Sequence, residues 1–175
     1  MREKEWKMGK NLGRRIKKNS EELYRLYQEG KKLRLSNNIL AFLLLSAIEE
    51  ISKYFIELLL SKCGNSTLRR NIRTRIYNEH IIKYEFFLSI YYAMQNYDVE
   101  TIRERARLLS SNWINIRKRY LINVSNIDVK IEDLDEIETY YIQYDEMEKA
   151  ISELDKDESC HILNTLQQLW DFNVT

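Results

Sequence analysis

Arg75-Ile76-Tyr77-Asn78-Glu79-His80 is the stretch of this chain whose residue types best suit chemistry. A guanidinium can hold a phosphate and stabilise its developing charge, and an imidazole can move a proton near neutral pH. Five residues apart, the two supply what metal-free RNA cleavage requires. With 14 arginines and two histidines in 175 residues, the spacing alone is unspecific. Its neighbours carry the weight.

Upstream lies an apolar run from Ile39 to Ile48 that abruptly acquires two acids and a base, as Ala47-Ile48-Glu49-Glu50-Ile51-Ser52-Lys53. Downstream lie His80-Ile81-Ile82-Lys83 and, later, Arg117-Lys118-Arg119-Tyr120-Leu121-Ile122. The order resembles the AbiV family of bacterial abortive-infection proteins, a branch of the HEPN superfamily. That family pairs an A-(I/L)-E-E-x-x-K helix with an H-x-x-K helix and closes on an R-x-x-x-L-Y-V segment, approximated here by Arg117 to Val124. The likeness covers about residues 19 to 130. Its most specific part is the helix of Glu49, Glu50 and Lys53; its loosest is the last, where Ile122 replaces tyrosine.

The resemblance implies an all-α, HEPN-like bundle and a cytoplasmic homodimer that acts against phage. Two R-x4-6-H motifs would face each other across the dimer and cleave RNA, shutting down translation without a metal or cofactor. A phage-encoded protein would serve as trigger or inhibitor. Arg75 and His80 are then the catalytic pair, and Lys83, one turn after His80, adds charge for phosphate. Active members carry a polar residue directly after the arginine, whereas this chain has Ile76, so Arg73 stands in reserve. Glu49, Glu50 and Lys53 are assigned supporting roles, one glutamate orienting His80 or pairing with Arg75 or Lys83. Two rival readings remain: a non-catalytic HEPN interaction module, and the toxin of a toxin–antitoxin pair whose partner is a nucleotidyltransferase.

Composition bounds the elements that must position these groups. There is no proline and there are four glycines, with 44% apolar and 31% charged residues, which predicts long helices joined by short polar turns. The length suits one domain, residues 1–175, with a core over about 19–130 and acidic helices over about 131–175. Net charge is +1, yet residues 1–130 hold 26 Lys/Arg against 14 Asp/Glu and residues 131–175 hold 2 against 13. The basic part suits a polyanion, and the acidic part would repel one or cover the basic surface. The longest apolar run is about half of a membrane span. Cys63 and Cys160 do not suggest a disulfide framework, so a reducing compartment is expected. Zinc is not expected either, because Cys160 and His161 diverge by about 100° and Cys63 lies in a distant turn.

Along the chain, Asn19 or Ser20 starts a helix to about Arg34 with Leu23, Leu26, Tyr27 and Leu33 as its stripe, and the basic Lys7–Lys18 segment either extends it or frays. Ser36 or Asn37 caps a second helix to Lys62, apolar all round in its first half and therefore central. A break near Asn78 is expected, because on one continuous helix Arg75 and His80 would stand about 140° apart. The third helix covers Asn78–Asn96; the fourth runs from Asp98 to Tyr120 with room for a bend at Ser110-Ser111. An irregular connection falls at Asn123–Asp128. An acidic helix from about Glu132 to Leu154 and a last one near Glu158–Asp171 complete four core helices, an amino-terminal extension and a carboxy-terminal pair.

Overall fold

The computed structural model describes residues 2–121 and 129–171, and among them the chain is all-α, with eight helices and no strand. The order is α1 (Arg2–Lys32), α2 (Asn37–Lys62), α3 (Ser66–Asn78), α4 (His80–Met94), α5 (Val99–Leu121), α6 (Ile131–Tyr141), α7 (Tyr144–Glu153) and α8 (Lys156–Asp171). The connection at Asn123–Asp128 and the end of the Arg117–Val124 segment lie outside the described residues, as do the side chains of Leu169 and Trp170. No described helix is long and apolar enough to cross a membrane.

α2 is the axis of the molecule. Its N-terminus is held by Ser36, whose hydroxyl accepts the Ile39 N–H, and fifteen of its residues are buried. Such a helix must be surrounded to be stable. α1, α4, α5, α6, α7 and α8 all pack on it, α1 over the longest contact.

α1 is one helix throughout, so the basic segment extends it rather than fraying. Its buried face differs in part from the expected apolar stripe: Tyr27 is buried as expected and Leu23 half-buried, but Leu26 and Leu33 are exposed, and Gly13, Ile16, Ser20 and Gly30 are buried instead. Small residues let the two backbones approach. A Cβ added at Gly30 would stand 2.9 Å from the Leu40 side chain, and the Ser20 hydroxyl reaches the Ala47 carbonyl at 2.6 Å. The helix ends on a Schellman motif, with Leu35 N–H donating to Gly30 O and Arg34 N–H to Lys31 O. Arg34 occupies the left-handed position at φ 56°, where glycine is usual. Arg34→Gly is therefore expected to stabilise the protein by about 0.5–1 kcal/mol in urea melts; an unchanged or lower midpoint would show that the arginine side chain offsets its strain.

The α3–α4 break falls at Glu79, in extended backbone at φ −124°. α5 runs through Ser110 and Ser111 without interruption. The single acidic helix expected over Glu132–Leu154 is two helices, separated at Ile142 and Gln143. Leu134, Ile137, Tyr141, Met147 and Ile151 stay buried on both sides of the break. The apolar period carries through in phase, and neither glycine nor proline marks the turn, which is why the pattern reads as one helix.

The acidic part is fastened to the basic part by specific bonds. Glu138 accepts from Tyr24 at 2.9 Å, Tyr27 at 2.7 Å and Lys31 at 3.4 Å. Glu148 accepts from Lys17 and Tyr54, each at 2.7 Å. Lys62 closes the C-terminus of α7, donating to the carbonyls of Ile151 at 2.9 Å and Ser152 at 3.1 Å, and to that of Leu154. The cysteine expectation is corrected as well: Cys63, just after α2, and Cys160, on α8, are joined by a disulfide with Cα atoms 5.7 Å apart. Their separation of 97 residues hides the pairing in the sequence, because only packing of α8 on α2 brings them together.

Candidate functional site

Glu49 is the centre of the arrangement. It sits midway along α2, is 7% exposed, and turns toward α4 and α5. Its Oε1 accepts the Tyr84 hydroxyl and Arg117 Nε at 3.0 Å. Its Oε2 accepts His80 Nδ1 at 2.8 Å and has Lys83 Nζ at 3.6 Å, an ion pair just beyond hydrogen-bonding distance. One carboxylate thus meets three hydrogen-bond donors and one further cation from two helices.

The local sequence explains the convergence. His80 is the first residue of α4, and Lys83 and Tyr84 follow three and four positions later on the same face. Arg117 is on α5 one turn after the buried Trp113, whose ring meets Tyr84 edge-on at 5.7 Å. The Phe42 ring lies 5.6 Å from the Arg117 guanidinium and lends it a cation–π contact. The His80 side chain is 41% exposed and opens the cluster to solvent.

Electrostatics settle the protonation states. Burial pushes the Glu49 carboxyl up, but the Tyr84 hydrogen bond and the Lys83 and His80 charges outweigh it and hold it below the usual carboxylate range. Glu49 is therefore an anion at neutral pH. Burial and then the Glu49 charge raise Tyr84, which stays a neutral donor. Burial lowers Lys83, against the opposing pull of Glu49. A carboxylate can only accept, so His80 bonds Glu49 through an Nδ1–H, an arrangement that in the neutral imidazole leaves the lone pair on Nε2. Nε2 is the atom able to take a proton from a substrate.

The other expected residues fall into separate places. Arg73 is committed elsewhere: Nε and Nη2 form a fork on Glu57 at 2.8 and 2.7 Å, and Tyr77 donates to the same carboxylate at 2.6 Å. Lys53 pairs with Glu50, not with Glu49; Glu49 faces inward and Glu50 lies along the half-buried edge, with Lys53 5.5 Å from the Tyr77 ring. Arg75 is half-buried in the last turn of α3, and Ile76 is fully buried. Among the described residues, the charged partners of Glu49 are His80, Lys83 and Arg117, so Arg75 is not on the carboxylate that holds the histidine. Tyr84 and Arg117 are the two members of the site that sequence reasoning does not assign to it. Tyr84 was legible as i+4 from His80; Arg117 stood in view only within the loosest of the three family-like segments.

The fold and site define an all-α protein with a carboxylate-oriented histidine set among buried cations. Comparison with protein-family models, curated proteins and solved structures finds no match.

Proposed function

We propose that this chain is a metal-independent endoribonuclease of the HEPN, AbiV-like type that acts in abortive infection. The observation that carries the reading is the Glu49–His80 dyad at the start of α4, with two further cations on the same carboxylate. The carboxylate holds the imidazole in one tautomer, the role an orienting acid plays beside a general base. The first turn of α4 also presents unpaired backbone N–H groups and the positive end of the helix dipole to an anion. In the proposed reaction the ribose 2′-hydroxyl loses its proton to a histidine and attacks the adjacent phosphorus. The bond to the 5′-oxygen then breaks, that oxygen gains a proton, and a cyclic phosphate remains.

With one imidazole at the site of each subunit, a second is wanted as the acid, which supports a homodimer with two His80 side chains near each other. Light scattering should then give twice the chain mass, and a monomer at micromolar concentration would contradict it. Action on cellular RNA would be cytoplasmic, where the thiol pool would act on the Cys63–Cys160 disulfide.

The test is expression of the wild type beside His80→Ala, with growth and total RNA integrity followed together. Loss of both toxicity and RNA breakage in the variant is expected. Toxicity that persists without breakage would select the non-catalytic interaction module, a reading favoured by the absence of Arg75 from the Glu49 carboxylate.

A further inference from the structure

We propose that Arg117, rather than Arg75, supplies the guanidinium of the His80 site, and that Arg117 and Lys83 together bind one phosphodiester anion beside the imidazole. The proposal deepens the ribonuclease reading and rests on it.

Charge balance is the first support. Glu49, Lys83 and Arg117 side chains are 9%, 5% and 15% exposed, so two cations share one buried anion. Tyr84 stays neutral, and the nearby Glu50 is occupied by Lys53. Among the described residues the cluster carries a surplus of one positive charge with His80 neutral, and of two with it protonated. Uncompensated buried charge is costly, and a bound anion removes that cost.

The donors are the second support. Arg117 meets Glu49 through Nε and also lies within reach of the Tyr84 hydroxyl, two contacts for a guanidinium with five N–H groups, so further N–H groups remain to meet a phosphate oxygen. Lys83 stands at 3.6 Å, holding its charge at the site without a hydrogen bond to Glu49. The Phe42 ring lies over the guanidinium at 5.6 Å. Arg73, by contrast, already spends its fork on Glu57. Glu49 thus couples the phosphate-binding cation to the proton-transferring imidazole, since one carboxylate holds both.

The two histidines make the test direct. His80 lies in the site, and His161 lies on α8 at an apolar cleft between α4, α5 and α8, so the imidazole signals of His161 serve as the internal control. Inorganic phosphate, and then an oligoribonucleotide blocked by 2′-O-methylation, are titrated into the wild type, Arg117→Ala, Arg117→Lys and Arg75→Ala while both imidazoles are followed by NMR. A saturable shift at His80 alone is expected in the wild type and in Arg75→Ala. Its midpoint should rise roughly ten- to a hundredfold in Arg117→Ala, the effect of losing a charge-assisted bond, and less in Arg117→Lys, which keeps the charge. Should Arg117→Ala fail to fold, the lysine variant carries the comparison, because it preserves the pair with Glu49 and loses only the fork. A site that survives in both Arg117 variants but is lost in Arg75→Ala, or the lack of any saturable shift at His80 in the wild type, would overturn the proposal. Phosphate binding through Arg117 in a wild type that cleaves no RNA would instead uphold the site and remove the ribonuclease reading.

Discussion

Glu49→Ala is expected to cost about 3–5 kcal/mol of folding stability, because it leaves Lys83 and Arg117 as buried cations without their counter-charge. Domains of this kind are stable by about 5–15 kcal/mol in total, so the loss should be plain in a urea titration. Glu50→Ala is the matched control. Glu50 is partly exposed and pairs with Lys53 one turn away, and such pairs contribute within about 1 kcal/mol. The pH dependence follows with a definite sign. The folded Glu49 carboxyl is held below its ordinary value, so its contribution is present above the unfolded pKa of about 4.3 and is lost as pH falls through the folded value. Below that range Glu49→Ala and wild type should converge. Equal midpoints at pH 7, or a gap that widens in acid, would remove Glu49 from the centre of the structure.

His80→Ala should show the opposite pattern, with a large loss of activity and little loss of stability. The imidazole is 41% exposed and Glu49 keeps two other hydrogen-bond donors and the Lys83 charge without it, so about 1 kcal/mol is the expected stability change. RNA cleavage by the purified protein should fall about 10²–10⁴-fold, the usual contribution of a positioned proton-transfer group. Wild-type cleavage should persist in EDTA, leave cyclic-phosphate ends and spare DNA, which lacks the attacking hydroxyl. Cleavage that EDTA abolishes, or His80→Ala cleaving at the wild-type rate, would sink the mechanism. Together the two substitutions separate the group that holds the site from the group that would react in it.

The charge asymmetry left open whether the acidic segment repels a polyanion or covers the basic part, and the structure adds that Glu138 and Glu148 bond to residues of α1 and α2. Those two acids are consumed in packing, whereas Glu146 and Glu153 lie on the exposed side of α7. The distinction is invisible in the sequence, where all four are glutamates at helical spacing.

Local chemistry along the chain determined by itself that the protein is helical, that a helix begins after Ser36 and ends at Lys62, and that it lies at the centre. These follow from missing breakers, a capping hydroxyl and apolar residues on every side, all properties of neighbours in sequence. The break between Arg75 and His80 was expected on other grounds, to bring the two residues together; it falls at Glu79, yet the two do not share the Glu49 carboxylate. Tertiary structure alone decided which glutamate turns inward, that Lys53 closes on Glu50, and that Arg73 is spent on Glu57. It also decided that Arg117, 68 positions from Glu49, arrives on the same carboxylate as His80, and that Cys63 meets Cys160. Each of these depends on the rotation of one helix about its axis against another. That rotation is set by the summed packing of whole faces, which no spacing within a single segment records.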